Sequence, residues 1–305
     1  MQTERTFIDD IKYQFRYGGM TIRLLILNAA VFIGIQLILV IGRLIGGDFS
    51  VVANELLRTV FALHTDPLEF LLHPWGLFTS IFSHFGFFHF LFNMIFLYFS
   101  GRMFEQLFDQ KRLLYTYLLG GFFGGLFELL AHSIFPALQG SATVVVGASG
   151  SIMAIFSAIA FYRPNMTVML FGLFPVRIII IAGIFILSDL VSLGTADNTA
   201  HFAHIGGVVL GMLSIRSIHS SRNIINRAQF VGDRISLFFQ GIFQRKPKMK
   251  VTKGGGRTVK RDEDYALEAK QRQEKIDKIL DKISKSGYDS LSKAEKDFLF
   301  QQSKK

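Results

Sequence analysis

Six long apolar stretches divide the first 217 residues of the chain. They cover approximately residues 22–44, 77–99, 113–135, 149–162, 177–194 and 200–217. A membrane-spanning helix needs about 20 predominantly apolar residues, and the fourth stretch is short of that. The pattern predicts an all-α polytopic membrane protein with a bundle of six transmembrane helices. We expect the first stretch to be retained rather than removed as a signal peptide, because it is long and five more follow.

Charge separates the chain into an apolar body and a basic tail. Half of all residues are hydrophobic and 18% are charged. Residues 216–305 hold 22 of the 33 Lys and Arg but only 11 of the 23 Asp and Glu, so the preceding residues are almost neutral. The absence of cysteine excludes disulfides and thiolate chemistry.

Lysine and arginine in the short loops predict the orientation. Basic residues cluster before the first stretch, after the second and after the fourth: Arg5, Lys12, Arg16, Arg23, Arg102, Lys111, Arg112, Arg163 and Arg177. The opposite loops hold Arg58, and Arg43 lies at the end of a span. Because positive loops stay on the cytoplasmic side, both termini are predicted to be cytoplasmic. We expect a multi-pass protein of the bacterial inner membrane.

Four segments follow from these patterns. We predict a cytoplasmic N-terminal segment (1–21), a six-helix membrane domain (22–217), a basic juxtamembrane helix and linker (218–261), and a cytoplasmic helical tail (262–305). Ser292 and Glu295 have the spacing of a capping box that opens a short second tail helix. The basic residues predict attraction of the tail to anionic lipid. No compact basic domain points to nucleic acid as a partner.

Polar residues inside the apolar stretches are the candidates for chemistry, because such groups are expensive in a membrane. His89 and Asn93 are four apart on the second stretch and project from one helical face. Ser149 lies within a Gly-Ala-Ser-Gly sequence at the start of the fourth stretch. The sixth stretch reads HFAHIGGVVLGM and contains His201 and His204.

Small residues predict how the fourth and sixth helices pack. Gly207 and Gly211 lie on the same helical face as His204, and small residues four apart allow membrane helices to approach closely. The fourth stretch offers Gly150, followed by two alanines at the same spacing. Packing the two faces would bring His204 towards Ser149.

That pairing would supply a nucleophile and its base. A serine becomes nucleophilic when a base lies within hydrogen-bond reach, and the first turn of a helix favours developing negative charge. His89 and Asn93 could add donors to an oxyanion hole.

These motifs resemble those of the rhomboid intramembrane serine proteases, over about residues 74–212. The sequence HFLFN is similar to the family's His-x-x-x-Asn motif, GASG to its nucleophile motif, and AHIGGVVLG to its histidine motif. The resemblance implies a Ser-His dyad of Ser149 and His204 without an acidic third member. It also implies an oxyanion hole of His89, Asn93 and the backbone N–H of Ser149. A serine-type endopeptidase that cleaves single-span membrane proteins, with no cofactor or metal, is expected.

The resemblance extends to two further segments. GRMFE after the second stretch is similar to a family segment, which makes Arg102 and Glu105 structural candidates. Many members carry Trp-Arg in the first loop, where this chain has Trp75 and Gly76, which leaves the anchoring of that loop open. Residues 45–76 are long enough to hold short amphipathic helices, as the family's first loop does.

The remaining polar residues have structural interpretations. Glu128 and His132 are four apart and can pair on one face towards the protein interior. Asp189 lies near the outer end of the fifth stretch, where we expect it to reach interfacial water. His84 and His201 are expected in the surroundings of the site.

Two alternatives come from other functional classes. A transporter or metal-binding membrane protein would use the polar set Glu128, His132, His89, His201 and His204. The chain contains no HExxH sequence, and its Asp189 follows Ser188 rather than glycine, so zinc and aspartyl intramembrane proteolysis lack their signatures. The second alternative is an inactive rhomboid relative that binds membrane proteins without cleaving them.

Overall fold

The computed structural model describes residues 6–138, 144–170, 172–195, 199–243 and 262–302. These residues are mostly helical, with two small antiparallel ribbons. The chain divides into two compact units, Met1–Gln244 and Arg245–Lys305.

Each predicted membrane stretch overlaps an apolar helix. These helices are α2 (Gly19–Ile45), α6 (Phe87–Leu107), α7 (Gln110–Ile134), α8 (Ser149–Tyr162), α9 (Ile178–Val191) and α10 (His201–Ile215). The first three are long and apolar enough to cross a membrane. The other three have 14, 14 and 15 residues, so they rise only about 21–23 Å.

The second stretch differs from its prediction at both ends. It was expected over 77–99, but α6 begins at Phe87 and continues to Leu107. The preceding residues form two short helical turns, α5 (Gly76–Thr79) and a 3₁₀ turn (Ser80–Phe82). The backbone oxygen of Ser80 accepts hydrogen bonds from the N–H groups of Ser83 and Gly147. Because this carbonyl oxygen accepts one local and one long-range hydrogen bond, it does not take part in a continuous α-helix through this segment.

The first loop contains the expected amphipathic helix. Helix α1 (Phe7–Tyr17) precedes α2, and the loop after α2 contains α3 (Gly47–Phe61), β1 (Leu63–His64) and α4 (Pro67–Leu72). Ala53 and Leu57 of α3 are buried, whereas the polar residues Asn54, Glu55 and Arg58 are exposed. The prediction of an amphipathic helix in this loop is therefore confirmed.

Trp75 and Gly76 hold the first loop in place. The indole N–H of Trp75 donates to the backbone oxygen of Thr59 at 2.9 Å. A Cβ atom at Gly76 would overlap the carbonyl oxygen of Ala62, so no larger residue fits there without movement. β1 also pairs with β2 (Val144–Val145) in front of α8. The glycine found in place of the family's usual arginine thus allows a close backbone contact that anchors the loop.

Helix α8 lies at the centre of the membrane body. Every residue from Gly150 to Ala160 is buried. The ring of Phe156 contacts Phe96 of α6 and Phe185 of α9. The N-terminus of this central helix carries Ser149, so the fold places that residue between the surrounding helices.

The loops after α6 and α8 are the ones that the charge pattern predicts to be cytoplasmic. A ribbon of β3 (Thr167–Leu170) and β4 (Phe174–Arg177) connects α8 to α9. Glu105 accepts hydrogen bonds from the N–H of Met20 and the hydroxyl of Thr21, both at 2.7 Å, which confirms its structural role. Arg102 lies 3.9 Å from the same carboxylate.

Helix α11 (Ile224–Phe243) forms the predicted juxtamembrane helix. Arg112 of α7 donates to the backbone oxygen of Ile218 and to the side chain of Asn226. Lys111 pairs with Asp233. These contacts hold α11 against α7. The predicted linker that follows lies largely outside the described residues.

The described part of the second unit contains two α-helices, α12 (Asp262–Ser286) and α13 (Lys293–Gln302), with a 3₁₀ turn (Tyr288–Ser290) between them. The predicted capping box is confirmed, because the Ser292 N–H donates to Glu295 at 2.7 Å and the Glu295 N–H donates to the Ser292 hydroxyl. The hydrogen bonds from Ser292, followed by the one from Lys282, lower the pKa of Glu295 to about 2. Ile279 of α12 is buried.

Candidate active site

Ser149 is the first residue of α8 and follows a tight entry. Gly147 has a φ of 123°, a conformation that residues with a side chain rarely adopt. Its N–H donates to Ser80, and the N–H of Ala148 donates to Nε2 of the buried His84 at 3.4 Å. The backbone N–H groups of the first helical turn have no partner within the helix. The GASG sequence therefore places a half-buried serine among donors.

The two small-residue faces pack as predicted. A Cβ atom at Gly207 of α10 would overlap the carbonyl oxygen of Gly150. One turn further on, a Cβ at Gly211 would lie 2.5 Å from the carbonyl oxygen of Ala154. The backbones of α8 and α10 are therefore in direct contact along one side. Ser149 precedes Gly150, and His204 lies one turn before Gly207, so both are at the same end of this contact.

His89 lies against the entry to α8. A Cβ atom at Gly147 would lie 2.7 Å from Cε1 and 2.9 Å from Nε2 of His89. The ring of His89 also meets that of His84 edge to face, with centroids 5.2 Å apart. His89 and the GASG sequence are thus brought together from two different helices.

Asn93 is buried one turn further along α6. Its amide nitrogen donates to the backbone oxygen of His89 at 2.8 Å. An asparagine amide has two N–H donors, and this bond uses one of them. The contact ties Asn93 to the backbone of His89.

Asp189 contradicts its sequence-based interpretation. It was expected to reach interfacial water, but it is buried, with 7% of its surface exposed. Its Oδ1 lies 2.8 Å from Nδ1 of His204 and 2.8 Å from Nδ1 of His201. The dyad that the resemblance implies names no acidic member, whereas in this chain a carboxylate lies against His204. The available signal was a single acidic residue in an otherwise apolar helix, 15 positions before His204.

Among the described residues, Asp189, His201 and His204 form the group whose side-chain donor atoms could hold a metal ion. Asp189, His201 and His204 each offer one ligand atom, and these atoms all lie within 4.8 Å of one another. Two imidazoles and a carboxylate are a donor set that zinc accepts. The broader set considered for a metal-binding protein does not assemble, because His89, Glu128 and His132 are outside this group.

Glu128 and His132 form the predicted buried pair. Nδ1 of His132 lies 3.5 Å from Oε1 of Glu128. The other carboxylate oxygen of Glu128 accepts a 3.0 Å hydrogen bond from the N–H of Ala203 in the first turn of α10. A carboxylate there satisfies a free N–H and complements the helix dipole. Glu128 thus fixes the end of α10 that carries His204.

Comparison with known proteins agrees with these motifs. A family model described as Rhomboid domain matches residues 72–221. A second model, described as a family of unknown function, matches residues 260–305 and so coincides with α12 and α13.

Curated plant proteins are similar over the membrane body. The chain is 33% identical over 158 residues to RHOMBOID-like protein 12, mitochondrial, of Arabidopsis thaliana, covering 48% of this chain and 47% of that protein. It is 27% identical over 220 residues to Rhomboid-like protein 16, chloroplastic, of the same plant, covering 67% and 64%. It is 32% identical over 139 residues to RHOMBOID-like protein 1, covering 46% and 33%. The matches thus span between about a third and two thirds of these relatives.

The apolar helices, the packed small-residue faces and the family match describe one membrane-embedded domain. Through residues 72–221, this chain is an integral membrane protein of the rhomboid family.

Proposed function

We propose that this protein is an intramembrane serine endopeptidase that cleaves single-span membrane proteins in or near their transmembrane segments. The observation that carries the proposal is the backbone contact between Gly150 and Gly207. It supports a nucleophile and a base on neighbouring helices at one level of the membrane body. No cofactor enters this chemistry.

The reaction follows from the chemistry of the two side chains. The Ser149 hydroxyl oxygen attacks the scissile carbonyl carbon while Nε2 of His204 accepts its proton. The same imidazolium then donates the proton to the leaving amine, which breaks the peptide bond. His204 then deprotonates a water molecule, whose oxygen attacks the acyl carbon. The imidazolium returns the proton to the Ser149 oxygen as the ester bond breaks, which releases the carboxylic acid and restores the enzyme.

Three groups are assigned to the oxyanion. They are the backbone N–H of Ser149 and the side chains of His89 and Asn93. Each donor in such a site acts on charge that develops only in the transition state, so its loss lowers the rate by about two to three orders of magnitude. The position of His89 beside Gly147 supports this assignment.

The membrane arrangement is part of the proposal. Six apolar helices and the distribution of Lys and Arg support six spans with both termini in the cytoplasm. A bacterial inner membrane, single-span substrates and anionic lipid at the basic tail stay predictions.

Labelling with a serine-reactive fluorophosphonate tests the proposed chemistry. We expect the purified full-length protein to be labelled and to cleave a model single-span substrate, and Ser149→Ala and His204→Ala to do neither. Ser151→Ala is the matched control, because Ser151 lies two positions further on α8 and its buried hydroxyl has no hydrogen-bond partner among the described residues. Labelling of folded Ser149→Ala at the wild-type rate would refute the assignment. A folded wild type that retains substrates without labelling or cleavage would instead identify an inactive relative.

A further inference from the structure

The carboxylate of Asp189 joins two helices at a single oxygen. Asp189 lies in the last turn of α9, and its Oδ1 is 2.8 Å from Nδ1 of both His201 and His204 on α10. All three side chains are largely buried, with exposed side-chain fractions of 10%, 9% and 17% for Asp189, His201 and His204. In this buried position, the two hydrogen bonds restrict the orientation of the imidazole rings of His201 and His204.

These bonds determine where the proton of His204 resides. An ionised carboxylate only accepts hydrogen bonds, so an imidazole nitrogen that bonds to it carries the proton. Nδ1–H of His204 faces Asp189, and in the neutral ring Nε2 is then left with its lone pair. A general base needs that lone pair on the nitrogen that faces the nucleophile.

We propose that Asp189 is a positioning residue for His204, an inference that rests on the proposed function. It holds the ring in the tautomer with a free Nε2, and its negative charge stabilises the imidazolium that forms when Ser149 loses its proton. His201 donates to the same oxygen and keeps the carboxylate in place. The site is then a serine–histidine–aspartate arrangement whose three members come from α8, α10 and α9.

Other charged groups near His204 do not supply this contact. Glu128 faces this region from α7, but its oxygens are directed to the Ala203 N–H and to His132. His89 approaches from α6, and a second imidazole cannot supply a negative charge. Asp189 is therefore the carboxylate that faces Nδ1 of the base among the described residues.

A structural tether between α9 and α10 is the competing explanation. Besides Asp189, the buried residues of α9 are Ile178 and Ala182, both at its other end. Loss of Asp189 could thus loosen α9 without touching the chemistry. The experiment needs a readout that reports on the base itself.

The test compares Asp189→Asn with the wild-type full-length protein in detergent. Asparagine keeps the shape and an oxygen acceptor but removes the charge. We expect kcat and the rate of fluorophosphonate labelling to fall at least about tenfold, KM to change less than about threefold, and Asp189→Glu to recover part of the loss. His201→Ala should lose less than Asp189→Asn, because the bond to His204 remains. Ser188→Ala, the exposed neighbour on α9, is the control and should behave as wild type.

Nitrogen-15 NMR of labelled histidine gives an independent readout on the wild type. We expect His204 to be protonated at Nδ1 and unprotonated at Nε2, with a downfield Nδ1 proton that disappears in Asp189→Asn. A His204 protonated at Nε2, or wild-type labelling by folded Asp189→Asn, would overturn the proposal. A stoichiometric metal in the purified protein that Asp189→Asn loses would also overturn it, since Nδ1 would then be a ligand. The proposed function fails separately, by the behaviour of Ser149→Ala.

Discussion

A hydrogen bond to the backbone of His89 ties Asn93 to the candidate site. Its amide donates to the carbonyl of His89, one turn earlier on α6, and it is buried with 7% of its surface exposed. One of its two N–H groups is used in this bond, which leaves the second for a substrate oxygen. We therefore expect Asn93 to affect the stability of the transition state more than the stability of α6.

Asn93→Ala should lower kcat by about one to three orders of magnitude, because an oxyanion donor is lost. KM should change little, since the donor binds charge that the substrate does not yet carry. The measurement is steady-state cleavage of a model single-span substrate by variants of equal abundance.

The matched control lies two turns further on the same helix. Ser100 is buried and, like Asn93, donates to the backbone oxygen four residues before it, in this case that of Phe96 at 2.7 Å. Ser100→Ala removes a comparable bond away from the site and should retain wild-type kcat. Equal losses in the two variants would indicate a structural effect and contradict the oxyanion role.

At the scale of elements, the contact between α8 and α10 decides whether the site exists. Both helices are short, and their backbones touch where Gly207 meets Gly150 and where Gly211 meets Ala154. Membrane helices gain no hydrophobic energy by associating within lipid, so close packing of small residues has to hold them together. The same packing brings the helix end with His204 to the helix end with Ser149.

Gly207→Ala should therefore destabilise the fold and reduce activity together. The new Cβ overlaps the Gly150 carbonyl oxygen, a backbone atom that cannot rotate away. We expect a loss of about 1–3 kcal/mol, as overpacking usually costs, seen as a lower thermal unfolding midpoint in detergent.

Gly183→Ala is the control for a glycine within a membrane helix. A Cβ there meets nothing within 4 Å, so the unfolding midpoint should stay the same or rise. If Gly207→Ala matched Gly183→Ala in midpoint and activity, the close contact of α8 and α10 would not be needed for function.

Along the full chain, the candidate catalytic residues lie in one compact unit and most of the net positive charge lies in the other. All proposed catalytic and positioning residues lie within Met1–Gln244, whereas Arg245–Lys305 forms a second compact unit. That second unit matches a family of unknown function and carries its own capping box. The two units are thus expected to serve different purposes.

Removal of residues 245–305 should leave cleavage in detergent within about twofold of the full chain. All residues proposed to take part in the chemistry precede residue 245 and are retained in the truncation. In cells the truncation should weaken attraction to anionic lipid, because each basic residue near the surface contributes about 1 kcal/mol. The assays are cleavage by purified protein and binding to vesicles with and without anionic lipid. Loss of detergent activity in a well-folded truncation would show that the tail supports the membrane domain.

Features that depend on local periodicity could be predicted from the sequence alone. The apolar stretches predicted the helices, the GASG and AHIGGVVLG motifs marked Ser149 and His204 as candidate catalytic residues, and the spacing of Gly207 and Gly211 predicted the face on which α10 packs. These features are readable because side chains three, four or seven positions apart on a helix share a face. The tail capping box was equally readable, since its two residues are three apart.

The contacts between residues that are distant in the chain depend on how the helices pack. Asp189 and His204 are 15 positions apart on two different helices, so no helical period relates them, and their bond depends on how α9 and α10 pack. The start of α6 at Phe87 likewise depends on Ser80 bonding to Gly147, 67 positions later in the chain. In the sequence, Gly76 is only a departure from the expected Trp-Arg pair. The structure shows that it allows the backbone of Ala62 to approach closely. Contacts of this kind join separate elements, and local patterns of hydrophobic and polar residues carry no record of them.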